Sequence, residues 1–146
     1  MGKNLRLVVA CSIAMTAALL VVGVVSHGVL RHIVQTSPLW IPIALAVRGS
    51  ALAKWAALPC FAFWLLPMTA IWLYLLGWAR IITGTFSPTE IAMTVAVGLA
   101  SIVGIAAAIG TRSSIRASSA VATALGVALL QIIALRISFL PQIAHR

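Results

Sequence analysis

The chain carries one acidic side chain, Glu90, among 146 residues, and no Asp at all. A lone acid excludes paired-carboxylate general acid–base chemistry within one chain, and it leaves ten Lys and Arg almost without internal counter-charge. Two cysteines, Cys11 and Cys60, are too few for a disulfide framework and form no CxxC pair. They fall near opposite ends of different apolar stretches, so no disulfide is expected between them. There is no Gly-rich phosphate loop, no nucleophile elbow and no Ser/His/Asp set. His27 and His32 stand five apart, on different faces of a helix, and His145 is near the chain end. No catalytic residue, metal site or cofactor is therefore expected, and the reading leans away from an enzyme.

What the chain has is apolar length. It is 63% hydrophobic and only 8% charged, with mean hydropathy +1.18. A soluble domain of this size needs a more polar surface. In lipid, each backbone N–H and C=O must be satisfied inside the structure, which leaves helix bundles and closed barrels. The apolar runs are continuous and roughly 20 residues long, whereas barrel strands alternate over roughly 10. The fold class expected is an all-α integral membrane protein: a single four-transmembrane-helix bundle over 1–146. Lys3 and Arg6 before the run 7–25 resemble a signal peptide, but the run is long and no convincing small-residue cleavage site follows. An uncleaved first helix is expected. The basic residues flank apolar runs rather than forming a tail, which fits headgroup anchoring and argues against nucleic acid.

The spans are expected at about 5–30, 51–79, 88–109 and 115–138, with a short interfacial or re-entrant helix at 38–48. Eleven residues rise only about 16 Å, too little to cross a core of about 30 Å. Trp55 and Trp78 are spaced to mark the two interfaces of the second span, and Pro59 and Pro67 inside it are expected to bend it. Ser87-Pro88-Thr89-Glu90 has the form of a capping box, with Pro at the first helical position. The short stretch 110–114 predicts a tight antiparallel hairpin of the third and fourth spans.

Small residues recur at every fourth position: Ala92, Ala96, Ala100, Gly104 and Ala108 on the third span, Ala10, Ala14 and Ala18 on the first, and Ala120, Ala124 and Ala128, beside Ala122 and Gly126, on the fourth. Such ladders let helix backbones approach closely. They predict that the first, third and fourth spans pack together, with the bulky second span more peripheral or supplying a bulky wall.

Four crossings put both termini on one side, with Lys3, Arg6, Arg80, Arg136 and Arg146. The other side then holds Arg31, Arg48, Lys54, Arg112 and Arg116. The count ties, so the positive-inside rule gives no orientation. The N-terminal amine favours termini in the cytoplasm, in a bacterial inner (plasma) membrane. A basic face of His27, Arg31, His32, Trp40, Arg48 and Lys54, free of acid, is a candidate anion, lipid-headgroup or quinone site. Glu90 reads first as a helix cap. Glu90 and Gln131 are the candidate transport residues.

Three functions follow as expectations. The first is a non-enzymatic accessory or structural subunit packed against other membrane-protein chains or its own copies. The second is a small transporter or channel, dimeric and able to insert in both orientations. The third is a quinone- or lipid-binding membrane subunit. The partners expected are the lipid bilayer with its anionic lipids and other membrane chains, with no nucleic acid.

Overall fold

The computed structural model describes residues 2–144; His145 and Arg146, counted above among the terminal residues, lie outside them. The described chain is helical, with no strand. Helices α1 (Lys3–Val25), α2 (Val29–Thr36), α3 (Trp40–Val47), α4 (Ala53–Leu75), α5 (Pro88–Ile109), α6 (Ala117–Ser138) and the short α7 (Pro141–Ala144) follow one another, and a single 3-10 turn, Ser37–Leu39, joins α2 to α3. Four of them, α1, α4, α5 and α6, are long and apolar enough to cross a membrane. The protein is an all-α membrane bundle built on these four.

Local chemistry sets the helix ends. The Ser87 side chain accepts from Glu90 N–H at 3.2 Å, while Glu90 Oε2 accepts from Ser87 N–H at 2.7 Å, and Pro88 opens the helix. This reciprocal pair satisfies two of the donors that a helix start leaves orphaned. Helix α1 ends at Val25 rather than running on to 30. The Gly28 N–H closes onto Gly23 O at 2.8 Å, and His27 occupies the left-handed region at φ 54°. Gly49 (φ 69°) and Gly77 (φ 74°) hold the same position after α3 and α4. Glycine is the usual residue there because a Cβ is disfavoured. Because His27 lacks that signature, the sequence does not announce the turn.

The turn reverses the chain. The segment 29–47 runs back beside α1 and ends next to its start, so that Gly49–Ala51 and Lys54 line one cavity with Gly2–Leu5 and Gly110–Arg112. Antiparallel contact with α6 gives the same direction: Gln35 meets Ser138, and Pro38 and Ile41 share a groove with Ala134 and Leu130. Nineteen residues at about 1.5 Å each reach about 28 Å, close to the thickness of a hydrocarbon core. The short interfacial helix expected at 38–48 is thus the second half of an end-to-end segment. Both chain ends were expected on one side, but Gly2 and Pro141 lie at opposite ends of the bundle.

The 3-10 turn at Pro38 interrupts this segment, while Pro42 lies within α3, and polar side chains of the segment and of α6 bond its carbonyls. Pro38 has no N–H to offer Val34 O, and Ser37 Oγ donates there at 2.8 Å. Thr36 Oγ1 donates to His32 O at 2.8 Å, and Gln131 Nε2 donates to Gln35 O at 3.0 Å. Broken helices are tolerated at membrane depth where protein surrounds them. This one packs against α1, α4 and α6, with Trp40 on its outer face.

The packing order also departs from expectation. The most extensive pair is α1 with α5, as the ladders suggest. Helix α4 is not peripheral: it packs on α5 on one side and α6 on the other, so α5 and α6 form no hairpin. The reason lies in residues of α4 that its aromatic character obscures. Ala53, Ala56, Ala57 and Cys60 are fully buried and give α4 a small-residue face of its own, while Phe61 packs against Gly104. A Cβ at Gly104 would come within 2.5 Å of the Phe61 ring. Helix α4 runs without interruption through Pro59 and Pro67.

Candidate functional site

A cavity of about 510 Å³ opens at the end of the bundle that holds Glu90. Its walls come from α1, α2, α4, α5, α6 and the loop before α5. Leu19, Phe63, Met68, Met93 and Val97 make the interior apolar. Its size lies within the range of small-molecule sites, which are mostly apolar with a few placed polar groups. Leu66 and Phe139 on its rim are 71% and 55% exposed, so the opening is apolar as well. An apolar rim on a membrane helix faces lipid rather than water.

The polar groups in this cleft are few, and the fold brings them from separate elements. Arg31, His32 and Gln35 lie on one turn of α2, Glu90 and Thr94 lie on α5, and Trp64 lies on α4. His32 Nδ1 is 2.9 Å from Gly28 O. A carbonyl can only accept, so Nδ1 carries the proton and neutral His32 keeps Nε2 as an acceptor. The ring sits against α1 because Gly23 has no side chain: a Cβ there would meet His32 Cβ at 2.9 Å. The Arg31 guanidinium carbon is 4.4 Å from the centroid of the Phe139 ring, a cation–π distance. Buried Arg31 Nε and Trp64 Nε1 have no hydrogen-bond partner among the described residues. Buried donors without partners are uncommon, and each costs about 1–3 kcal/mol.

The structure divides the basic face expected from the sequence. His27, Arg31 and His32 stand at the Glu90 end, and Arg48 and Lys54 at the other, because segment 29–47 runs the length of the bundle. Trp40 is 57% exposed on the outside of that segment. Glu90 lines the cleft with Arg31 and His32, so the face is not free of acid. Gln131 is fully buried in the seam between α6 and α2, does not line the cleft with Glu90, and has its Oε1 unpartnered. Of the longest ladder, Gly104 and Ala108 are buried and Ala100 is half-buried, while Ala92 and Ala96 are exposed. Sequence reasoning missed Trp64, Gln35 and Thr94. The three share no sequence pattern, and only the folded proximity of α2, α4 and α5 joins them. No protein-family model, curated protein or solved structure matches the chain.

Proposed function

We propose that this small polytopic membrane protein binds a single amphiphile from the surrounding bilayer, with its chain in the apolar cleft and its head at Arg31, His32 and Glu90. The observation that carries the reading is the pair of unpartnered buried donors, Arg31 Nε and Trp64 Nε1, in the walls of the same apolar cavity. Donors need acceptor oxygens. A quinone carbonyl and the ester or phosphate oxygens of a lipid share that chemistry. His32 Nε2 adds an acceptor for a hydroxyl on the same head. The site as described supports binding without a reaction step.

Orientation follows from charge. With segment 29–47 counted as a crossing, Lys3, Arg6, Arg48, Lys54, Arg112 and Arg116 lie at the end that contains Gly2, and Arg31, Arg80 and Arg136 at the other. Among the described residues this count, six against three, supports placing the Gly2 end in the cytoplasm, in a plasma membrane such as the bacterial inner membrane. The cleft then opens in the outer leaflet.

The test is the content of bound amphiphile after gentle detergent purification, read by mass spectrometry. Quinone is further identified by its reduced-minus-oxidised absorbance. Wild type should retain about one amphiphile per chain, and Val97→Trp, which fills the cleft, should lose it. Arg31→Gln should retain less than wild type. Equal content in wild type and Val97→Trp would overturn the reading. A second reading, packing against partner chains, draws on the outward Ala10, Ala14, Ala92 and Ala96. Co-purification of a stoichiometric second chain, lost on Ala14→Leu or Ala96→Leu, would establish it. A transporter would need Glu90 and Gln131 for flux in liposomes, and normal flux in Glu90→Gln and Gln131→Ala would remove both residues from a transport path.

A further inference from the structure

At the opposite end a second cavity, of about 470 Å³, is lined by Lys3, Asn4, Ser50, Lys54 and Arg112, together with backbone of the Gly49 and Gly110 turns. Its three cations come from three places: the start of α1, the start of α4 and the 110–116 connection. Ordinary interfacial anchors stand singly and reach outward. These converge, and cross-links hold the elements that bear them. Asn4 Nδ2 donates to Gly110 O at 2.8 Å, and Ser113 Oγ donates to Ala51 O at 3.3 Å. Lys54 Nζ donates to Thr111 O at 2.8 Å and lies 4.9 Å from the Trp55 ring centroid. An ammonium has three donors, so two remain available.

No acid lines this cavity, and the only acid of the chain stands at the other end. Three like charges around one concavity repel one another, and more strongly near a low-dielectric core than in water. A bound anion removes that cost. The geometry points to a phosphate site here: we propose that Lys3, Lys54 and Arg112 bind the phosphate of an anionic lipid headgroup. Phosphate suits this set, since Arg112 offers a planar fork and the lysines offer point charges. Anionic lipids are enriched in the cytoplasmic leaflet, where the excess of basic residues places this end. The site stands apart from the amphiphile cleft and does not depend on it.

The test uses the full chain in nanodiscs of equal phosphatidylglycerol and phosphatidylcholine, with the protein-retained lipid counted by native mass spectrometry. Wild type should retain phosphatidylglycerol over phosphatidylcholine by roughly tenfold. Lys3→Met/Lys54→Met/Arg112→Met should fall to the ratio of the bulk mixture. Arg80→Met/Arg136→Met, at the other end, should keep the wild-type preference. Displacement of the lipid by millimolar inorganic phosphate would identify free phosphate as the ligand of the same site, and resistance to it would identify the lipid. A wild type without preference, or a folded triple variant that keeps it, overturns the proposal. If the triple variant does not fold, 1 M NaCl on wild type decides: the preference must collapse, because ionic strength of that order screens charges beyond about 3 Å, and its persistence overturns the proposal.

Discussion

The two ends of the bundle are made from one chain under opposite constraints. At the Gly2 end, short connections bring α1, α4 and the 110–116 stretch together, and side chains from each bond to backbone carbonyls of another. At the Glu90 end, the longest connection, 76–87, covers less. Tyr74 OH holds it through Gly84 O at 3.0 Å, and Tyr74 and Phe86 lie ring against ring at 6.2 Å. The Gly2 end is more polar and cross-linked between its connections, although Trp55 Nε1 there is buried without a partner. The Glu90 end leaves an apolar cleft whose donors Arg31 Nε and Trp64 Nε1 are unmatched, with Gln35 to Ser138 Oγ as a link between its helices.

The comparison depends on which residues share an end, and the largest expected effect tests that directly. An impermeant thiol reagent added outside cells should label Ser26→Cys fully and Ser50→Cys not at all, with the buried Cys11 and Cys60 silent. If 29–47 did not cross, both positions would lie on the same side and both would label. A smaller effect separates the cleft from the rest of the bundle. Gly23→Ala drives a Cβ against His32 and should cost about 1–3 kcal/mol of unfolding stability, with loss of bound amphiphile. Gly98→Ala, whose Cβ meets nothing within 4 Å, should leave both unchanged. Thermal unfolding in detergent and retained-ligand content read the two outcomes. The smallest effect compares the turns. His27→Gly relieves a left-handed residue and should stabilise by about 1 kcal/mol, while Gly49→Ala at the other end should destabilise by about as much.

Legibility followed the physical source of each element. The four long helices were visible because they are continuous and apolar. The start of α5 was visible because Ser87-Pro88-Thr89-Glu90 is a local device, complete within four residues. Segment 29–47 was not visible as an end-to-end element. Hydropathy reports exposure to lipid, and one side of this segment is covered by three helices while Ile33, Trp40 and Val47 stay exposed on the other. It therefore carries His32, Gln35 and Thr36, all buried, with polar groups that bond within the bundle. Pro38 also divides it into two pieces that each look too short. The misplacement of α4 had a different cause, because its buried Ala53, Ala56 and Ala57 are outnumbered to the eye by Trp, Phe and Leu. The cleft was not legible at all, since its residues meet only after α2 has turned back on α1.

That turn has a consequence for how the protein enters a membrane. Segment 29–47 on its own is a poor candidate for release into lipid: its first half is polar, and while Ser37 and Thr36 serve Val34 O and His32 O from within the segment, Gln35 O finds its side-chain donor only on α6. Helix α1 offers the first packing neighbour, through Gly23 against His32. The two must therefore leave the insertion machinery as a joined hairpin. The donors from Gln131 to Gln35 O and from Gln35 to Ser138 Oγ come from contacts with α6, close to 100 residues later in the chain. Until α6 has been synthesised, the nascent protein holds an unfinished segment in its middle, and the arrival of the last long helix completes both the bonding of that segment and the wall of the cleft.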